Sequence, residues 1–255
     1  SQFPNFTYGG YDNVGNLTSF SAGIHSYTYT YDELNRLKEV EGSIIRDYKY
    51  DLLGNFDSVT KGSTLWDYSY AADNPSRLMG VTNLPMTVNA TQGYDSRGNL
   101  WKYTKSGIAY ELAFDVENRL QSVKVGTATP TTFEYDADGQ RVLTTIGTGS
   151  SQVKIYTPFP DYEKEIPATG NTTTRTTYRL AGQIVAVQTK IGATGTFYFT
   201  YTDHLGNVAA LSWTGGTFVP NSFASYDPFG TLTTIPSTNP SITNHGFTGH
   251  RHNNT

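Results

Sequence analysis

The sequence predicts an all-β chain of tandem β-hairpins, and three observations carry that prediction. An Asp-led phrase recurs with a period near 20 residues, Tyr alternates with Ser or Thr ahead of it, and Gly or Asn holds one fixed place inside it. The phrase is plainest as Tyr31-Asp32-Glu33-Leu34-Asn35-Arg36-Leu37 and Tyr94-Asp95-Ser96-Arg97-Gly98-Asn99-Leu100. Counted on its Asp, it falls at Asp12, Asp32, Asp51, Asp73, Asp95, Asp115, Asp136, Asp203 and Asp227. The steps are 20, 19, 22, 22, 20, 21, 67 and 24 residues. The long step spans about three ordinary ones, so two worn copies are expected inside it. A period of this length marks a repeat architecture.

Each residue type in the phrase has a physical reason. Gly15, Asn35, Gly54, Gly98, Asn118, Gly139, Gly206 and Gly230 stand three places after the Asp. Gly and Asn most readily take positive φ, so this slot is expected to turn the chain. The Asp carboxylate is expected to accept backbone amides inside the turn. Ahead of it, Ser26-Tyr27-Thr28-Tyr29-Thr30-Tyr31 alternates with period two and reads as strand. Behind it come short apolar runs such as Leu37-Lys38-Glu39-Val40. Each unit is thus strand, tight turn, strand, and successive hairpins must pair to bury a shared face.

Taken in order, residues 1–10 are a lead-in and the first clear unit runs from Tyr11 to Leu17. The fourth is stretched: two extra residues separate Tyr70 from Asp73, and Ser76 takes the turn slot. At the seventh, Arg141 stands where an apolar residue is expected. Between Gly147 and Gly195 the phrase dissolves, with worn copies near Tyr156–Glu163 and Tyr178–Gly182. Gln183–Val187 still reads as strand, and Thr172–Thr177 as strand or exposed turn. The phrase returns at Asp203 and Asp227, after which residues 231–244 become Thr-, Ser- and Pro-rich, a crossing or linker segment. The expected division is 1–232 for about eleven hairpins and 233–255 for a linker and a truncated further region. No helix is expected.

Composition narrows the function. Hydrophobic residues are 36%, with 19 Tyr and 13 Phe, so rings must supply much of the burial. There is no Cys, and the formal net charge of −4 argues against a nucleic-acid partner. The longest apolar runs fall short of a membrane span, and the first 20 residues lack a secretory leader pattern. The chain reads as a piece of something longer.

The repeated phrase, with Tyr201-Thr202-Asp203-His204-Leu205-Gly206-Asn207-Val208 and Tyr226-Asp227-Pro228-Phe229-Gly230, resembles the YD repeats of the Rhs family. Those repeats also occur in teneurins and in C components of insecticidal toxin complexes. Gly246-Phe247-Thr248-Gly249-His250 is similar to the opening of the Rhs-associated core region. The resemblance implies one long antiparallel sheet spiralling into part of a hollow shell, and a secreted or cell-surface setting. In relatives the core continues to an Asp-Pro-x-Gly-Leu cleavage site. Asp227-Pro228-Phe229-Gly230-Thr231 mimics its start but lacks the Leu and sits at an ordinary repeat phase, so no catalysis is carried onto it.

Sharper readings weigh less than plain ones. Paired-carboxylate hydrolysis needs two special acids, whereas the phrase makes nine equivalent ones. Asp136-Ala137-Asp138-Gly139 starts like a calcium loop, but Ile146-Gly147 stands where the closing Glu belongs. His245, His250 and His252 read as alternating residues of an exposed terminal strand before they read as a metal site, and His204 as a turn residue. Sequons at Asn5, Asn16, Asn89, Asn171 and Asn253 are expected by chance in so Asn- and Thr-rich a chain. No Gly-x-Ser-x-Gly, Cys nucleophile or phosphate loop occurs. The expectation is therefore a non-enzymatic segment, with no cofactor and no metal, that encloses or scaffolds a polypeptide such as a toxin. Its partners would be the rest of the parent polypeptide or an enclosed cargo. The rival is an extracellular module that binds glycans through Tyr-rich faces, or joins other copies through open edge strands.

Overall fold

The computed structural model describes residues 5–83, 86–89 and 92–251. The lead-in Pro4, the terminal His252 and the sequon at Asn253 lie outside the described residues. Two compact units divide the chain: Asn5–Ala128, the N-terminal unit, and the residues from Thr129 onward, the C-terminal unit.

In the N-terminal unit the strands are β1 (Phe6–Tyr11), β2 (Leu17–Ala22), β3 (His25–Tyr31), β4 (Leu37–Gly42), β5 (Arg46–Tyr50) and β6 (Phe56–Lys61). They continue as β7 (Thr64–Tyr70), β8 (Leu78–Val81), β9 (Met86–Thr87), β10 (Lys102–Lys105), β11 (Ile108–Phe114) and β12 (Leu120–Val125). Each pairs antiparallel with the next, a pure meander. The period-two alternation sorts the rings onto one face. Phe20 stacks on Phe6, Tyr8 and Tyr27 with centroids 6.1, 5.2 and 6.1 Å apart. Tyr27, Val40, Tyr48 and Val59 are buried at the centre of this face, with Phe20, Tyr50 and Phe56 packed around them. The core is thus largely aromatic, as the composition requires.

The C-terminal unit repeats the plan with β13 (Thr131–Tyr135), β14 (Arg141–Ile146), β15 (Val153–Phe159) and β16 (Tyr162–Pro167). It continues with β17 (Thr173–Leu180), β18 (Gln183–Ile191), β19 (Thr194–Thr202) and β20 (Val208–Trp213), again paired in sequence order. A small hairpin of β21 (Ser225–Tyr226) and β22 (Leu232–Thr234) follows. Its core is more aliphatic: Ile184, Val187, Tyr198, Val208, Leu211, Val219 and Ile242.

Three local outcomes refine the sequence reading, and one of them differs from it. Thr173–Thr177 is strand, inside β17. The worn copies keep their strands and shorten their turns: Phe159 faces Tyr162 across two residues, as Leu180 faces Gln183. At the second of these, Ala181 and Gly182 take φ 49° and 82°, the mirror-image turn that suits a twisted hairpin. One helical turn, α1 (Asn239–Ile242), forms where none was expected. Ile242, 6% exposed, joins the apolar core, and the Thr189 hydroxyl donates to its carbonyl at 2.6 Å. The Ser- and Pro-rich segment is therefore packed against β18 rather than a bare crossing.

Candidate functional site

One turn is built eight times, at Asp12, Asp32, Asp51, Asp95, Asp115, Asp136, Asp203 and Asp227. At Asp51 the Gly54 N–H donates to the Asp51 carbonyl at 3.1 Å, and the Asp51 N–H to the Asn55 carbonyl at 2.9 Å. Carboxylate Oδ1 accepts the amides of Leu53 and Asn55, both at 2.8 Å, and Oδ2 accepts Asn55 Nδ2 at 2.9 Å. The same two amides, at the second and fourth residues on, reach Oδ1 of the other seven. The third residue on takes positive φ in every case: Gly15, Asn35, Gly54, Gly98, Asn118, Gly139, Gly206 and Gly230 lie between 60° and 94°. The residue before each Asp faces the residue five places after it, as Tyr31 faces Leu37 and Tyr50 faces Phe56.

Asp73 does not join this set. The two inserted residues move the turn: Ala71 N–H donates to the Arg77 carbonyl at 2.9 Å, and Ser76 N–H to Asn74 Oδ1 at 3.1 Å. Asp73 lies outside with its side chain 80% exposed, 3.9 Å from Arg77 Nη1. Ser76 is not among the positive-φ residues, because the longer loop does not need one there.

Two features of the turn were missed in the sequence. The fourth residue after Asp does more than fill a polar slot. Asn16, Arg36, Asn55, Asn99, Arg119 and Asn207 each hold Oδ2 of their own Asp. Some reach onward: Asn16 Nδ2 donates to Asn35 Oδ1 of the next turn at 3.2 Å, and Asn99 and Asn118 exchange amide bonds. The second feature is a Tyr ladder. The hydroxyls of Tyr31, Tyr50, Tyr70 and Tyr94 donate to the carbonyls of Leu17, Leu37, Phe56 and Leu78, at 2.7, 2.8, 2.8 and 2.8 Å. Each acceptor is the first residue after the preceding turn. The phrase therefore locks one hairpin to the next as well as shaping its own turn. The regular Tyr spacing was the only signal available for this.

These bonds set the charge states. At Asp51 and Asp95 the side-chain amides of Asn55 and Asn99 hold the carboxyl below its ordinary range, and at Asp115 the Arg119 backbone amide does so. At Asp12 and Asp32 partial desolvation pushes upward, but the hydrogen bonds from Asn16 and Arg36 outweigh it. A carboxyl whose folded pKa is depressed contributes stability that is complete above its unfolded value, 3.8, and is lost as pH falls through the folded value. Desolvation raises Tyr31, Tyr50, Tyr70 and Tyr94, and pushes Tyr226 up to about 12. Their contribution is complete below the unfolded value, 10.0, and is lost as pH rises above it. These carboxyls and phenols should accordingly lower the urea midpoint below about pH 4 and above about pH 10. A midpoint unchanged down to about pH 2.5 would contradict the carboxylate half.

A second cluster lies in the C-terminal unit. Glu163 of β16 is 4% exposed and accepts Arg175 Nη1 of β17 at 2.7 Å. Its other oxygen accepts the side-chain amide of Asn244. Arg175, 9% exposed, also reaches Glu165 at 2.9 Å and the Ser241 carbonyl at 3.4 Å. Arg251 Nη2 donates to the Pro160 carbonyl at 2.7 Å. His245 is buried and not on an exposed strand: its Nδ1 lies 2.8 Å from the Gly249 carbonyl and its Nε2 3.3 Å from the Thr177 hydroxyl. A carbonyl only accepts, so Nδ1 carries the proton and Nε2 accepts from Thr177. Burial pushes its pKa down, helped by Arg251 and Arg179, while the Gly249 bond pulls the other way. His250 is exposed, and no group of three or more potential ligands suited to a metal occurs among the described residues. These contacts anchor residues 241–251 onto the sheet. They offer no nucleophile, base and oxyanion pocket in one place.

Phe197 and Phe199 on β19 meet edge to face at 80°, and Tyr178 is tilted 49° against Phe197. That arrangement is not a flat stacking platform. No helix among the described residues is long and apolar enough to cross a membrane.

The crystal structure of TcdB2-TccC3 without its hypervariable C-terminal region matches with a TM-score of 0.80 at 17% identity, over 98% of this chain and 14% of that one. A Photorhabdus luminescens Tc holotoxin pore matches with a TM-score of 0.49 at 15% identity, over 98% of this chain and 17% of that one. The chain thus spans about one seventh of the length of the first of these structures, and the likeness is one of fold. No curated protein sequence matches. The teneurin YD-shell family model matches residues 9–254. With nearly its whole length covered, this chain belongs to the teneurin YD-shell family.

Proposed function

We propose that the chain is a non-enzymatic structural segment of a secreted or cell-surface YD-repeat protein, and that it helps enclose or scaffold a polypeptide cargo. The observation that carries the reading is the use made of the phrase. In eight turns the Asp carboxylate is spent on backbone amides, and in four repeats the Tyr hydroxyl is spent on a backbone carbonyl. Polar groups that a catalytic or lectin site would aim at a ligand are here committed to holding hairpins together. The turn role of the phrase Asp and Gly residues, and the division at about residue 232, belong to the same reading. Toxin-complex structures of like fold support it without extending to this chain's own cargo. Limited proteolysis of the full-length gene product tests the idea. An enclosed segment should resist cleavage in the native protein and become sensitive in the double variant Asp51→Ala, Asp95→Ala, which weakens two turns. Equal sensitivity before and after would remove the enclosure claim.

A further inference from the structure

We propose that residues 241–251 form an acid-sensitive strap on the C-terminal unit, with His245 as the group that takes up the proton and releases them. The strap lies on one face of β16, β17 and β18. The Ser241 carbonyl accepts Arg175, the Ile242 carbonyl accepts the Thr189 hydroxyl, and Asn244 donates to Glu163. Arg251 fastens the far end on the Pro160 and Tyr162 carbonyls, at 2.7 and 3.3 Å. His245 stands between these fastenings, 6% exposed. Its ring holds two groups at once. Nδ1 donates to the Gly249 carbonyl of the strap's own turn, and Nε2 accepts the Thr177 hydroxyl of β17. The ring thus pins the turn at 246–249 to the sheet.

Both bonds need the neutral ring in one tautomer. A second proton places an N–H where the Thr177 hydroxyl now donates, so that hydroxyl must turn over or the ring must leave. The charged ring would also lie in a buried site and meet Arg251 of the strap and Arg179 of β17. Glu163 of β16 and the Gly249 bond pull the other way, but Glu163 already holds Arg175 and Asn244. Glu165 is bonded to Arg175, and Asp161 of the preceding turn to Arg179. Where the strap meets the Asp203 turn, Thr248 N–H donates to Asn207 Oδ1, while Asp203 accepts the amides of its own turn. His204 and His250 there are exposed to water. A charged His245 is therefore better accommodated in solvent than beneath the strap. Because its folded pKa lies below the ordinary value, 6.5, His245 favours the closed strap fully above that pH and progressively less as pH falls toward the folded value. The ladders β16–β17 and β17–β18 do not use the strap, so they persist while it opens.

Native-state amide exchange on the full chain, corrected for intrinsic rates, reads the opening directly. The reporters are Gly246 N–H, bonded to the His250 carbonyl at 2.9 Å, and Val208 N–H, bonded to the Gly246 carbonyl at 3.3 Å. Their protection should fall about ten-fold per pH unit as pH drops below about 6.5, until the folded pKa of His245 is reached. Amides of the β17–β18 ladder should keep theirs. His245→Gln, whose side-chain amide can hold the same two partners without titrating, should flatten the dependence. His250→Gln should leave it as in the wild type. If His245→Gln opens the strap at every pH, the wild-type ring decides: its NMR titration should give a midpoint below 6.5. Five results would each overturn the proposal: wild-type protection flat with pH, parallel loss from the β17–β18 ladder, an equal slope in a closed His245→Gln variant, a slope abolished by His250→Gln, or a His245 midpoint at or above 6.5.

Discussion

Replacing Gly42 with Ala should destabilise the N-terminal unit by about 3 kcal/mol, read as a lowered urea midpoint. Gly42 ends β4 at φ 111°, a conformation that L side chains rarely adopt. A Cβ there would sit 2.2 Å from the Ser26 carbonyl oxygen, which already accepts the Ser43 N–H at 2.8 Å. The neighbour is backbone inside a ladder, so it cannot swing aside as a side chain would. Relief requires β3 and β4 to separate locally, which also threatens the Ser26 N–H bond to Ser43 Oγ at 2.9 Å. Gly54 is the control. Its φ is 89°, but nothing lies within 4 Å of its Cβ position. Gly54→Val should therefore cost only the backbone strain, about 1–2 kcal/mol. Equal losses at the two sites would show that handedness alone matters and that the close approach at Gly42 is relieved at no cost.

That pair of glycines also marks what the sequence could reveal. Gly54 was legible because it recurs in phase with seven other Gly or Asn residues, and a turn that closes on itself within five residues leaves its whole requirement in the local string. Gly42 was not legible, because its constraint comes from Ser26 on the neighbouring strand. The same distinction explains the other differences. Asp73 kept the residue type of the repeat, but the insertion after Tyr70 changed which atoms could meet. The worn copies lost their Asp-led turns yet kept β15–β18, since strand pairing needs alternation more than a particular turn. His245 looked like one of several terminal histidines. Its burial depends on Thr177 and Gly249, and only the first of these is far away in sequence. The Tyr ladder occupied a middle position: its period could be read, but its acceptors are backbone carbonyls that leave no residue-type signature.

Arg175→Ala should be the costliest change in the C-terminal unit, about 3–5 kcal/mol. Glu163 and Arg175 are both almost wholly withdrawn from water, with side chains 5% and 10% exposed. Two buried opposite charges gain little net stability over apolar groups of the same shape, because desolvation offsets most of their attraction. Removing one partner is different, since the carboxylate of Glu163 then keeps its desolvation penalty while, among the described residues, Asn244 is left as its hydrogen-bonding side chain. The loss would also release the Ser241 carbonyl and so loosen the segment that carries Ile242 into the core. Two comparisons make the expectation specific. The double variant Glu163→Gln, Arg175→Met should recover most of the stability, because neither remaining group bears a charge. Arg179→Ala removes an ion pair of similar length, 2.8 Å to Asp161, whose side chains are 35% and 43% exposed. Solvent screening should limit that cost to about 1 kcal/mol. Urea unfolding followed through Trp213, on β20 of the same unit, would rank the three. If Arg175→Ala costs no more than Arg179→Ala, burial is not what gives this pair its weight, and the anchoring of residues 241–251 must rest on the apolar contacts of Ile242 instead.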